Sequence, residues 1–170
     1  YVGYVHAIAH SLGGEYNVPH GYANAVILPM ILEAYGETIY KKLSCLAVAA
    51  GLADADTPCE EAAKRFIQAI KAMKRRFGIG DQIPEIQETD IPKLAHYADK
   101  EANPLYPVPV LMNAAELEPF YYMLMNGPKE AEDFQDASEE AGDNAADTAK
   151  PGFEETATEK GGAQHDRAGN

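Results

Sequence analysis

Apolar residues recur at helical spacing along most of the first 126 of the 170 residues of this chain. The clearest case begins at Thr57, which with Pro58 and Glu60 is typical of an N-cap, a first helical position and a capping-box acid. Gly78 is expected to end this helix. Its apolar face comprises Ala63, Phe66, Ile67, Ile70, Met73 and Phe77, and its basic face, predicted to be solvated, comprises Lys64, Arg65, Lys71, Lys74, Arg75 and Arg76.

The same spacing predicts further helices on both sides of this one. The first runs from near the N-terminus to Leu12 and is expected to end at Gly13 and Gly14. The others begin near His20, Glu37, Asp90 and Asn113. Prolines at positions 29 and 119 are expected to disturb two of them, and the three prolines between positions 104 and 109 predict an extended loop. Because no stretch alternates as a half-buried strand does, the pattern predicts an all-α fold.

The charge distribution changes at Gly127. The whole chain has 27 acidic and 14 basic side chains, a net charge of −13, and residues 127–170 alone have 12 acidic and 4 basic side chains, a net charge of −8. This segment has few large apolar residues, so it cannot bury enough surface to offset its ordering entropy, and we predict that it is disordered. We therefore expect an all-helical domain over residues 1–126 and an acidic tail over residues 127–170. A partner-binding role for the tail is the alternative.

Composition also limits the partners and the compartment. The net acidity argues against nucleic acid, which is bound through Lys and Arg, and against a polybasic membrane contact. No apolar run reaches the roughly 18 residues of a spanning helix, and no signal segment is present. Cys45 and Cys59 have no CxxC spacing and are expected to be reduced packing cysteines in a cytoplasmic protein. Since the chain begins with Tyr1 and not with Met, we expect it to be a fragment.

Three of the five histidines, His6, His10 and His20, fall within 15 positions. His6 and His10 are four residues apart, so on a helix they lie on one face about 6 Å apart, interleaved with the packing stripe and partly buried. A loop after the glycine pair is expected to return His20 beside them. Clustered imidazoles suit Zn, Fe, Ni or Cu, so the spacing predicts a metal site in which any of the three could be a ligand. The alternative is three satisfied or half-exposed histidines without a shared role.

Other known patterns do not fit these residues. Ala7 follows His6 where the zinc proteases place their glutamate, and no CxxC accompanies the histidines as in a zinc finger. His96 is expected to be a packing or surface histidine, and His165 is expected to be solvated in the tail. The glycine pairs lack the preceding strand of a dinucleotide fingerprint.

Taken together, several motifs resemble the iron-containing (group III) alcohol dehydrogenases. The resemblance rests on GYVHAIAHSLGG at 3–14, PHG at 19–21, NAVILP at 24–29, DIPKLA at 90–95 and NPLYP at 103–107. It covers the chain from Tyr1 to about Met125, whereas residues 127–170 show none of it.

The resemblance implies an oxidoreductase in which an N-terminal α/β domain binds NAD or NADP and an all-helical C-terminal domain supplies half of the metal site. This chain corresponds to the helical domain. By position, His6 and His20 correspond to two metal ligands, and His10 to a catalytic residue beside the nicotinamide cofactor and the substrate. The family name favours Fe(II), with Zn²⁺ as the alternative. The implied substrate is a small alcohol or aldehyde. The resemblance leaves open whether the full-length protein forms a homo-oligomer.

The family's other two ligands, an Asp and a His, and its nucleotide domain belong to a preceding segment that these residues do not include. We therefore expect the isolated chain to be incomplete, to bind metal weakly and to be inactive as a dehydrogenase. A non-catalytic helical module that binds a metal or a partner through the same histidines is the alternative function. A purely structural helix bundle is the third option.

Overall fold

A computed structural model of the chain describes residues 2–127. The described residues form six α-helices: α1 (Tyr4–Tyr16), α2 (His20–Tyr35), α3 (Glu37–Ala49), α4 (Cys59–Arg76), α5 (Ile91–Ala102) and α6 (Ala114–Asn126). A short 3₁₀ turn, Glu88–Asp90, leads into α5. No strand occurs between residues 2 and 127, and the all-α class is confirmed. The acidic tail from Pro128 onward, with His165, lies outside the described residues, so its predicted disorder and the domain boundary stay predictions.

The helices pack as two groups that share α2. In the first group α1 lies between α2 and α5, and α6 covers α5; in the second, α3 and α4 pair and contact α2. The core of the first group contains fully buried side chains from α1, α2, α5 and α6: Tyr4, Ile8, Leu12, Ile27, Ile31, Leu94, Leu117, Tyr121 and Leu124. Burying such side chains contributes roughly 1.5–3 kcal/mol each, so α1 is fixed from both sides and holds its polar face outward.

The end of α1 differs from the prediction. The helix continues through Gly13 and Gly14 to Tyr16, and the left-handed residue that ends it is Asn17, with φ of 56°. The N–H of Asn17 donates to the carbonyl of Gly13 at 3.1 Å, which is the bond of an αL cap. Asn tolerates this conformation better than most residues with a Cβ, so it can take the capping position that glycine usually fills.

The start of α4 also differs from the prediction. Its first helical residue is Cys59, the N-cap position belongs to Pro58, and no side chain caps the helix. The hydroxyl of Thr57 accepts a hydrogen bond from the N–H of Asp54 at 3.0 Å and so closes the preceding turn. The prediction that Thr57 is the N-cap was therefore wrong, because its side-chain oxygen is bonded within the preceding turn and not to the first turn of α4. By contrast, the helix start predicted near Asn113 is confirmed, because Asn113 is the N-cap of α6 and forms a capping box with Glu116.

The separation of α4 into a buried apolar face and a solvated basic face is less strict than the sequence predicted. Lys74, expected in solvent, is only 5 % exposed and forms an ion pair with Asp81. Met73 and Phe77, expected in the core, are exposed. The N–H of Ile79 donates to the carbonyl of Lys74 at 3.1 Å, so the chain turns back on the end of α4, and Asp81 becomes the partner of Lys74.

Both cysteines are exposed and free, so the expectation of packing cysteines was wrong for Cys45 and Cys59. Pro29 and Pro119 lie inside continuous helices, because losing one backbone hydrogen bond is tolerated where the rest of the helix is packed. Among the helices between residues 2 and 127, none has the length and the apolar character needed to cross a membrane.

Candidate metal centre and active site

A tight turn between α1 and α2 assembles the histidine cluster. Three residues connect the helices: Asn17, which reverses the chain, Val18, whose side chain is buried, and Pro19, whose carbonyl accepts from the N–H of Ala23. His20 is the first residue of α2. The predicted return of His20 to the α1 histidines is therefore found, although a different residue makes the turn.

The three imidazole rings lie in mutual contact range. Ring centroids are 6.1 Å apart for His6 and His10, 5.5 Å for His6 and His20, and 5.0 Å for His10 and His20. The rings of His10 and His20 are nearly parallel at 22°, whereas those of His6 and His20 are tilted by 51°. In the part of the chain that the structure describes, no group of three or more His, Cys, Asp or Glu side chains is arranged to hold a metal ion.

His6 is half-buried, as expected, but His10 and His20 are exposed. Burial lowers the pKa of His6, and the neighbouring His20 and His10 lower it further. The neutral ring of His6 is therefore favoured at neutral pH, and neutral imidazole is the form that binds metals. His10 is exposed because it stands on the side of α1 away from the buried Tyr4, Ile8 and Leu12 stripe.

Asn24 contacts His20 one helical turn later. Its side-chain Nδ2 lies 2.8 Å from Nε2 of His20, and donation from the amide to the ring nitrogen requires the lone pair of Nε2. The Oδ1 atom of Asn24 is buried and has no hydrogen-bond partner among residues 2–127. Asn24 also borders a cavity of about 400 Å³ beside His6, lined mostly by apolar side chains such as Val5, Leu28 and Val108.

His10 contacts a carboxylate from the other side of the cluster. Nδ1 of His10 is 2.6 Å from Oε1 of Glu101, near the end of α5. The hydroxyl of Tyr106 donates to the same oxygen at 2.6 Å, and this bond raises the pKa of Tyr106, so its hydroxyl stays protonated. A second cavity of about 290 Å³ lies beside His10 and Glu101, bordered by Gly14 and Tyr97.

The loop after α5 is held against α1 by a buried tyrosine. The hydroxyl of Tyr4 donates to Oδ1 of Asn103 or to the carbonyl of Met112 and accepts from the N–H of Met112. The amide of Asn103 donates to the carboxylate of Asp99 at 2.6 Å. These bonds fix both ends of the loop that carries Tyr106, so the Glu101–Tyr106 pair has a defined position beside α1.

Sequence reasoning brought the three histidines together but missed their partners. Asn24 lies four residues after His20 on one helix, so the spacing could have revealed it. Glu101 is 91 residues from His10, and no local pattern links them. His96 is exposed and its ring lies beside that of Tyr97, so of the two expected roles, packing or surface, it has the surface role.

The comparison with known families identifies the chain. A family model described as "Fe-containing alcohol dehydrogenase family, C-terminal" matches residues 1–125. The chain belongs to the iron-containing alcohol dehydrogenase family. The resemblance stated from the histidine motifs is thereby confirmed, and the matched span is the one those motifs covered.

The chain matches only part of the length of individual members of the iron-containing alcohol dehydrogenase family. The chain is 36% identical over 104 residues to a 1,3-propanediol dehydrogenase of Klebsiella pneumoniae, covering 60% of this chain and 27% of the relative. It is 34% identical over 99 residues to a lactaldehyde reductase of Escherichia coli (strain K12), covering 57% and 26%. The chain thus spans about a quarter of the length of the curated relatives it matches.

Solved structures of this type agree with the helical fold. A crystal structure of 1,3-propanediol oxidoreductase superposes with a TM-score of 0.65 at 32% identity, over 72% of this chain and 32% of that one. An alcohol dehydrogenase from Oenococcus oeni gives a TM-score of 0.64 at 28% identity, over the same shares.

Proposed function

We propose that this chain is the metal-binding helical part of an NAD(P)-dependent alcohol dehydrogenase of the iron-containing family, with His6 and His20 as metal ligands. The observation that carries the proposal is the convergence of these two imidazoles, whose centroids lie 5.5 Å apart. Two imidazoles that bind one ion at about 2.0–2.1 Å with a tetrahedral angle have centroids about 5 Å apart. The donor set therefore fits a divalent ion.

Ring orientation disfavours the His10–His20 pair, and the contact of His10 with Glu101 disfavours both pairs that include His10. The lone pair of an imidazole nitrogen lies in the ring plane, so two rings can share one ion only if their planes direct nitrogens to a common point. The rings of His10 and His20 are stacked and close to parallel at 22°, so the planes that contain their lone pairs run side by side. The rings of His6 and His20 are tilted by 51°, which allows their lone pairs to meet. Nδ1 of His10 is also engaged by Glu101.

The chemistry expected at such a site is transfer of a hydride between a small alcohol and a nicotinamide. A divalent ion, Fe(II) by family membership or Zn²⁺, would supply a Lewis acid that favours loss of the alcohol proton and polarises an aldehyde carbonyl. His10 stands beside the two proposed ligands, within 6.1 Å of His6 and 5.0 Å of His20 between centroids, and would hold or move the substrate proton.

The substrate class is supported by the relatives. Their names specify a propanediol dehydrogenase and a lactaldehyde reductase, both of which act on small oxygenated molecules. The mostly apolar cavity of about 400 Å³ beside His6 offers room for a short carbon chain. The proposal also includes a nicotinamide cofactor, NAD or NADP, and a domain boundary near residue 126. It does not choose between the two cofactors.

Metal binding by the purified chain tests the ligand assignment. We expect Co²⁺ or Zn²⁺ to bind in calorimetry near neutral pH, more weakly than at sites with three or four protein ligands. His6→Ala and His20→Ala should each abolish the measurable heat, whereas His96→Ala, which replaces an exposed histidine outside the cluster, should leave it unchanged. Equal binding by all four proteins would overturn the assignment.

The non-catalytic module remains the second candidate, because the described residues provide only part of a metal site. It predicts the same metal binding without any nicotinamide chemistry. Supplying the coding sequence upstream of this segment and measuring NAD(P)H formation from an alcohol separates the two functions, since only the dehydrogenase gains activity.

A further inference from the structure

Glu101 is the one carboxylate within hydrogen-bonding distance of a histidine of the cluster among residues 2–127. Its Oε1 atom lies 2.6 Å from Nδ1 of His10 and accepts the hydroxyl of Tyr106 at the same distance. The side chain of Glu101 is 32 % exposed and that of His10 is 43 % exposed, so the two groups are in direct contact at a position that solvent reaches. Neither the motif spacing nor the metal-ligand assignment gives Glu101 a role.

The chemistry of the two groups determines where the proton lies. An ionised carboxylate can only accept hydrogen bonds, so a nitrogen at 2.6 Å from it must carry a proton. The hydroxyl of Tyr106 occupies the same oxygen as a second donor and keeps the carboxylate turned toward α1. Nδ1 of the neutral His10 ring therefore carries the proton, and the lone pair of the ring lies on Nε2 at the opposite edge.

We propose that Glu101, held by Tyr106, is a positioning residue for His10 that fixes the proton of the neutral ring on Nδ1 and leaves the lone pair on Nε2. A carboxylate orienting a histidine base in this way is a known arrangement in other enzymes. The catalytic meaning of the proposal rests on the proposed function, whereas the tautomer itself does not.

The assignment specifies the proton step within the proposed reaction. In the oxidation of an alcohol, Nε2 of His10 would accept the hydroxyl proton, and a bound oxidised nicotinamide would supply the acceptor for the carbon-bound hydride. The products would be an aldehyde, the reduced nicotinamide and the imidazolium form of His10, whose positive charge the Glu101 carboxylate would stabilise. In the reduction of an aldehyde, Nε2 of His10 would return the proton, and a bound reduced nicotinamide would supply the hydride.

Nuclear magnetic resonance of the full 170-residue chain tests the proposal directly. In metal-free, isotope-labelled protein at mildly alkaline pH, long-range proton–nitrogen spectra report which imidazole nitrogen carries the proton. The His10 signals are assigned by their loss in His10→Gln. We expect the Nδ1-protonated form in the wild type. We expect the ratio of the two tautomers to shift by about tenfold or more toward the Nε2-protonated form in Glu101→Leu, because a charge-assisted bond is lost.

Glu15→Leu is the matched control. Glu15 borders the same cavity, its side chain is also 32 % exposed, and it pairs with Lys93 instead of a histidine. The His10 tautomer should be unchanged in this variant. If Glu101→Leu does not fold, as judged by circular dichroism, Glu101→Gln gives the comparison, since a neutral amide is a weaker acceptor and should produce a smaller shift in the same direction.

Two results would overturn the proposal. One is a wild-type His10 protonated on Nε2 alone, and the other is a tautomer ratio that neither Glu101 variant changes. Tyr106→Phe, which keeps the ring and removes the hydroxyl, should give a shift smaller than that of Glu101→Leu, and an unchanged ratio would remove Tyr106 from the assignment. Because the spectra are recorded without metal, a failed metal site and a failed tautomer assignment are separate observations.

Discussion

Asn24 and a metal ion would compete for the same nitrogen of His20. In the structure, Nδ2 of Asn24 lies 2.8 Å from Nε2 of His20, in the direction of the lone pair that a metal would need. The other end of the amide, Oδ1, is buried without a partner, so the side chain loses one potential hydrogen bond in order to keep this contact. Metal binding at Nε2 requires the amide to withdraw.

We therefore expect Asn24→Ala to raise the affinity of the chain for Zn²⁺ or Co²⁺. The variant removes a hydrogen bond of about 0.5–1.5 kcal/mol that the ion would otherwise have to break, which corresponds to an increase of about two- to tenfold. Competition with a chromophoric chelator measures it. Asn126→Ala, whose amide contacts the carbonyl of Tyr122 far from the histidines, is the control. A lower affinity would mean instead that Asn24 orients the ring for the metal.

At the scale of helices, Gly13 and Gly14 show what a sequence pattern can and cannot reveal. A glycine pair at the end of an apolar stripe is typical of a helix stop, yet here both residues are helical and Asn17 adopts the positive φ. Residue identity shows which positions tolerate a left-handed conformation, but not which one adopts it. The three-residue connection is fixed by the burial of Val18 and by the packing of α1 on α2, which are not local properties.

Gly14→Ala should stabilise the chain by about 0.5–1 kcal/mol, because alanine loses less conformational entropy in a helix than glycine does. A Cβ at this position meets no atom within 4 Å. Gly51→Ala is the matched control, since its Cβ also has open space but its φ is +68°, and it should destabilise the chain by about 1–2 kcal/mol. Urea unfolding followed by circular dichroism measures both. Destabilisation by both variants would contradict the helical assignment of Gly14.

The existence of the helices followed from the sequence because each one carries its own apolar stripe. Lys74 was misplaced because its burial depends on Asp81, which returns over α4 after the helix has ended. The same distinction applies at the site. The spacing of His6 and His10 and the turn to His20 are local, so they could be predicted, whereas the contact of Glu101 with His10 joins residues 91 positions apart and needed the packed fold.

At the scale of the whole molecule, the incomplete ligand set decides what the chain can do alone. Two imidazoles are proposed as ligands, and no group of three or more ligating side chains is arranged to hold an ion within residues 2–127. The matching family model covers a C-terminal part, and the chain spans 26–27% of the relatives compared above. An ion held by two side chains exchanges readily, and the nicotinamide-binding domain implied by the family is not among the matched residues.

We therefore expect the purified 170-residue chain, supplied with Fe(II) or Zn²⁺, to form NAD(P)H from alcohols no faster than the double variant His6→Ala/His20→Ala. The absorbance of reduced nicotinamide measures the rate, and the double variant controls for adventitious metal chemistry. A rate above this control would contradict the expectation, and its dependence on protein concentration would then identify the reason. A linear dependence would mean that one chain completes the site, whereas a steeper dependence would mean that two copies combine their half sites, since each offers the same two imidazoles.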